Sequence, residues 1–138
     1  MGRLTAVGTC IALLAAALTG CGGSDDSAPL DRGARIYAVH CASCHQRDGG
    51  GRPGAQPALA GSAVANGDPR ALAAWLLFGE RPEGLAPSHG AVRMPPFTWL
   101  SDRDIAAVIT HVRSSFGNTA TAVTEAEVST VRAARARQ

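Results

Sequence analysis

Five consecutive residues, Cys41-Ala42-Ser43-Cys44-His45, place two thiols and an imidazole within little more than one helical turn. The spacing is C-x-x-C-H, the pattern of covalent haem attachment. On a helix, positions i and i+3 share a face. Both sulfurs can then reach the two vinyl groups of one macrocycle, and His45 turns toward its iron. Two other chemistries use parts of the pattern. A C-x-x-C pair alone suits thiol–disulfide exchange, but no βαβ pattern surrounds it and His45 would be left without a role. A zinc site needs a fourth ligand, and the sequence offers no second C-x-x-C and no paired His.

The second axial ligand is reached by elimination. The chain has two methionines. Met1 falls in a leader segment, which leaves Met94, in Arg93-Met94-Pro95-Pro96-Phe97. Two prolines with fixed φ stiffen that loop, and a rigid loop can hold a weak thioether ligand. A core Met would sit in an apolar helical pattern instead. His89, in a Gly/Pro-rich loop, is the rival ligand, and the pattern favours Met94. His40 is expected to point away from the haem and His111 to lie on a helix surface, both in structural roles. With His45 and Met94 both bound, iron keeps no open position. One-electron transfer is then favoured over chemistry on a coordinated substrate. The alternative is a haem enzyme or gas-binding protein whose Met94 dissociates.

The chain must also be exported for this attachment. Met1-Gly2-Arg3 is a short positive start, and Leu4–Leu18 is uncharged and apolar. The run is shorter than the ~20 residues that span a bilayer, so residues 1–20 read as a signal peptide. Leu18-Thr19-Gly20-Cys21 resembles a bacterial lipobox, with lipid expected on Cys21. Residues 21–30 read as a polar, flexible tether, and the folded domain as 31–138. Acyl chains on Cys21 would anchor without spanning. This places the domain on the periplasmic side of a bacterial membrane. The four cysteines then form no disulfide: Cys10 leaves with the leader, Cys21 carries lipid, and Cys41 and Cys44 hold haem.

The remaining pattern is helical. Asp31 is the expected N-cap of the helix that runs into the motif. Residues 46–66 read as an ordered loop over the haem edge. Asp68-Pro69 is an N-cap followed by Pro at N1. The helix it starts carries Leu72, Trp75, Leu76 and Phe78, ends at Gly79, and forms one wall of the haem pocket. Ser101-x-x-Asp104 resembles a capping box. Ile105, Val108, Ile109, Val112 and Phe116 recur at helical spacing up to Gly117. Thr124-x-x-Glu127 opens a further helix, an extension from about residue 122, with Val128 and Val131 on one side. A marginal helix packed on the domain's edge is favoured there over a basic docking segment charged by Arg132, Arg135 and Arg137.

The chain resembles class I c-type cytochromes over residues 31–117. Gly33 and Tyr37 match the small and aromatic residues where the C-terminal helix crosses the first. Gln46–Arg52 resembles the Gly-rich loop after the motif, and Gln56-Pro57-Ala58-Leu59 the segment whose Pro carbonyl accepts the proximal His Nδ1–H. Pro57 and Leu59 are the matching residues, and Met94–Phe97 resembles the distal loop. The resemblance implies an all-α cytochrome c fold of 3–5 helices, with long Gly/Pro loops wrapped around one haem c. Leu59, Trp75, Leu76, Phe97 and Leu100 are expected to line its pocket. Trp99, Arg52 and Arg93 are candidates to bond its propionates. The Phe116-Gly117-Asn118 end and the extension after it resemble cytochrome subunits of membrane-bound alcohol and gluconate dehydrogenases. The implied partners are a dehydrogenase, a cytochrome complex or a terminal oxidase, with the protein either a mobile carrier or a fixed subunit.

Composition limits the other classes. The chain has 138 residues, about one domain. Its 13 basic residues are all Arg, set against 11 acids, for a formal +2. That balance, without a basic run, argues against a nucleic-acid partner. Aromatic residues are only 4%, so the large flat apolar body at the core would be the haem itself.

Overall fold

The computed structural model describes residues 28–83, 85 and 93–137. Cys10, Cys21, His89, the leader and most of the tether lie outside the described residues. Among those described there is no β-strand. The helices are α1 (Pro29–Ile36), α2 (Ala42–His45), α3 (Ala63–Asn66), α4 (Pro69–Phe78), α5 (Asp102–Ser114) and α6 (Glu125–Arg135). A π turn, Tyr37–Cys41, joins α1 to α2.

The first helix starts earlier than its sequence suggests. Pro29 opens it behind Ala28, without a side-chain cap. Asp31 is therefore not the cap; it lies in the first turn, where its charge suits the helix dipole. The other N-termini follow their sequences. Asp68 accepts from the Arg70 N–H, Ser101 from Asp104, and Thr124 and Glu127 form a full capping box. Each such cap contributes about 1 kcal/mol. Gly79, at φ 74°, ends α4. The stretch 46–66, expected as loop, contains α3. Ser62 caps it by accepting from the Val64 and Ala65 N–H groups. α5 ends at Ser114, because Ser115 is extended. Gly117 turns the chain only after that stop.

α1 crosses α5 at Gly33. A Cβ there would be driven into the Ala107 carbonyl oxygen and would stand 2.8 Å from His111 Cβ. Only the missing side chain permits this approach. Tyr37, one turn on, stacks at 5.4 Å on His111 and 5.0 Å on Phe116. His111 therefore packs into the crossing rather than on the helix surface. It occupies the space Gly33 leaves, and its burial pushes its pKa below 6.5.

The core joins α4, α5 and α6 through Leu72, Leu77, Ile105, Ile109 and Val128. Val128 is fully buried, worth about 1.5–3 kcal/mol. α6 is thus part of the core. Two buried polar residues tie the loops to it. Arg113, 3% exposed, donates to the carbonyls of Ala65 (2.9 Å), Gly67 (2.8 Å) and Thr121 (2.8 Å). Asn118, 5% exposed, donates to Leu59 (3.0 Å) and Val112 (2.8 Å), and accepts from Gly61 and Asn66 (2.9 Å each).

Candidate haem site

The attachment motif sits at the end of the first helical body. The Ala42 N–H bonds the carbonyl of Tyr37, five residues back, which makes the π turn. Such turns recur at functional sites because they shift the side-chain register. Cys41 closes the turn, and Cys41 and Cys44 are partly buried and not joined to each other. Burial, reinforced by the charge of Cys44, pushes the Cys41 thiol up to about 11.

His45 is positioned from both sides. Gln46, next in the chain, takes φ 62° although it is not glycine. The buried Tyr37 hydroxyl donates to its carbonyl at 2.6 Å and holds that turn. Tyr37 itself is pushed up to about 12, by burial first and then by the charges of Cys41 and Asp48. Beyond the turn, the Gly51 N–H bonds the His45 carbonyl at 3.0 Å. Arg52 and Gln56 close a turn with backbone bonds of 2.8 and 2.9 Å. Gly51 lies so close to Gln56 and Pro57 that a Cβ would strike both backbones. The loop therefore brings the Pro57 backbone to His45. Burial lowers the His45 pKa, and Pro57 opposes the shift. Nδ1 of His45 is buried and makes no hydrogen bond within 3.5 Å. His45 thus presents a buried imidazole nitrogen without a partner, beside the Pro57 backbone. The residues present fit a haem.

The rest of the expected pocket divides into several groups. Leu59 is half-buried and fixed by its N–H to the Gly49 carbonyl at 2.7 Å. Trp75 is half-buried on α4. Leu76 and Phe97 pack against the core, and Leu100 is within it. Phe97 donates its N–H to the Leu76 carbonyl at 2.7 Å, so the Met94 loop is sewn to α4. Met94 is half-buried in that loop, and Arg93 is exposed. Arg52 donates to the Ser43 carbonyl at 3.1 Å, across the attachment turn. Trp99 is 64% exposed and meets the His40 ring edge-on at 5.0 Å. His40 also lies 6.4 Å from Phe97. It faces the aromatic residues of the distal loop, because the π turn rotates it from a plain helical position.

Sequence reasoning missed Asn118, which fixes the Leu59 carbonyl, and Gly49, whose missing Cβ admits the Phe116 ring. It also missed the use of Arg132, which folds inward onto Thr98, Leu100 and Asp102. A glycine-rich loop signalled Gly49; nothing local signalled the other two.

The protein family described as Cytochrome c matches residues 30–116. The chain is 38% identical over 116 residues to the gluconate 2-dehydrogenase cytochrome c subunit of Pantoea cypripedii, covering 78% of this chain and 25% of that protein. It is 42% identical over 92 residues to the alcohol dehydrogenase (quinone) cytochrome c subunit of Gluconobacter oxydans, covering 64% of this chain and 19% of that one. It is 39% identical over 92 residues to cytochrome c-552 of Thermus thermophilus, covering 62% of this chain and 69% of that one. The chain therefore spans a quarter or less of these two dehydrogenase subunits. With its C-x-x-C-H turn, its all-α fold and these relatives, the chain belongs to the cytochrome c family and carries one covalently bound haem c.

Proposed function

We propose that this protein is a one-electron carrier, with thioether bonds at Cys41 and Cys44 and with His45 and Met94 as axial ligands. The observation that carries the reading is His45: a buried imidazole whose Nδ1 has no hydrogen bond and faces Pro57. The bound haem supplies a single-electron iron couple. The protein's own residues set its environment. A bond from Nδ1 to the Pro57 carbonyl would fix the tautomer of His45 and raise its basicity. Met94 would hold the iron and leave substrates no open site, and a thioether ligand would raise the reduction potential. Leu59, Trp75, Leu76 and Phe97 give a low-dielectric wall that favours the less charged reduced state. Arg52, Arg93 and Trp99 are the groups for the propionates; Arg52 is already tied to the attachment turn.

The partners are redox proteins: a dehydrogenase, a cytochrome complex or a terminal oxidase. The names of two relatives, subunits of gluconate and alcohol dehydrogenases, support a dehydrogenase as donor. They equally support a fixed subunit of such a complex. Lipid on Cys21 would hold the domain at the periplasmic face of a membrane. No helix among the described residues is long and apolar enough to cross one. A redox titration tests the carrier reading. The expected result is one wave at about 59 mV per decade, with no rapid carbon monoxide binding to the reduced protein. Ready carbon monoxide binding would support the labile-Met94 enzyme instead.

A further inference from the structure

One guanidinium spans the segment just after Met94. From α6, Arg132 donates to the Thr98 carbonyl at 3.0 Å, the Leu100 carbonyl at 2.7 Å and the Asp102 carboxylate at 2.6 Å. These groups run from the distal loop into the start of α5. Only arginine offers donors in a planar fork that can serve three acceptors at once. α6 is itself anchored: Val128, one turn before Arg132, is fully buried, and the Thr124–Glu127 box caps its N-terminus. Among the described residues, this segment has further backbone ties from Phe97 to Leu76, at 2.7 Å, and from Leu100 to Phe97, at 3.1 Å. The C-terminal helix therefore adds its own hold on the loop to that of α4.

We infer that Arg132 is a positioning residue for the axial methionine: it restrains the loop that carries Met94 and so opposes dissociation of the thioether. The inference rests on the ligand reading above. A thioether is a weak ligand, and movement of the loop that carries it eases its dissociation. A clasp on Thr98 and Leu100 resists that movement.

The test uses the full haem-loaded protein and three variants: Arg132→Ala, Arg132→Lys and Thr124→Ala. The last weakens α6 at its cap but leaves the clasp residues intact. Two properties are read. One is the pH at which the oxidised protein loses its far-red sulfur-to-iron band; the other is amide hydrogen exchange at Phe97 and Leu100. In Arg132→Ala the band should vanish about one pH unit lower, a tenfold easier opening, and both amides should exchange faster. Arg132→Lys should recover part of each effect, and Thr124→Ala should show neither. Equal shifts in Thr124→Ala and Arg132→Ala would overturn the inference, leaving only helix stability. So would faster exchange with an unmoved band. A wild-type protein without the band would refute the Met94 ligand itself. Unchanged exchange in Arg132→Ala would refute the clasp, whatever the band did.

Discussion

His111 carries the clearest pH dependence of the fold. Its ring is packed against Tyr37 and Phe116, and burial lowers its pKa below 6.5. The unfolded chain takes up this proton more readily than the folded one. Its contribution is therefore fully present above 6.5 and is lost as pH falls below that value toward the lowered folded one. In the haem-loaded protein, denaturant midpoints should fall between about pH 7 and pH 5, and His111→Phe should flatten that slope. Parallel curves for variant and wild type would contradict the assignment. Asp104 acts in a lower window. Burial would raise its pKa, but bonds from Ser101 and Arg32 outweigh this and hold it below 3.8. Its contribution is lost only as pH falls below that value. Cys41, Cys44 and His45 were legible because haem attachment needs neighbours in sequence. Arg113 and Asn118 were not. Most of their partners are main-chain carbonyls and amides tens of residues away, and such bonds impose no spacing.

At the scale of elements, the α1–α5 crossing depends on one missing methyl group. Gly33→Ala should destabilise the protein by about 3 kcal/mol through overpacking against Ala107, measured by denaturant unfolding. A change within error would mean that the helices separate freely. Asn118→Ala should cost about 2–4 kcal/mol, since it leaves several buried groups without partners. It should also speed hydrogen exchange at Gly61, whose N–H it accepts. Helix starts at Asp68, Ser101 and Thr124 were legible because a cap is a local bond between side chain and backbone. The start at Pro29 was obscured because Asp31 offers a competing cap residue. α3 was hidden by its four-residue length and its Gly-rich flanks. The π turn leaves no mark on hydrophobic periodicity, although it decides where His40 and Cys41 face.

At the scale of the whole molecule, α4, α5 and α6 share one core, and α6 is part of it rather than a tail. A membrane anchor at Cys21 predicts that Cys21→Ser shifts the haem protein from the membrane fraction to the soluble periplasmic fraction. Unchanged fractionation would mean that something other than lipid holds it. Co-purification from gently solubilised membranes separates a fixed subunit from a mobile carrier, since only the former brings a dehydrogenase with it. The central claim is coordination of haem iron by His45 and Met94. The most direct test is the far-red sulfur-to-iron charge-transfer band of the oxidised protein, measured in wild type and in Met94→Ala. The band should be present in wild type. In the variant it should be absent, with haem still covalently attached and carbon monoxide binding the reduced protein. A band that survives Met94→Ala, or that wild type never shows, would contradict the account.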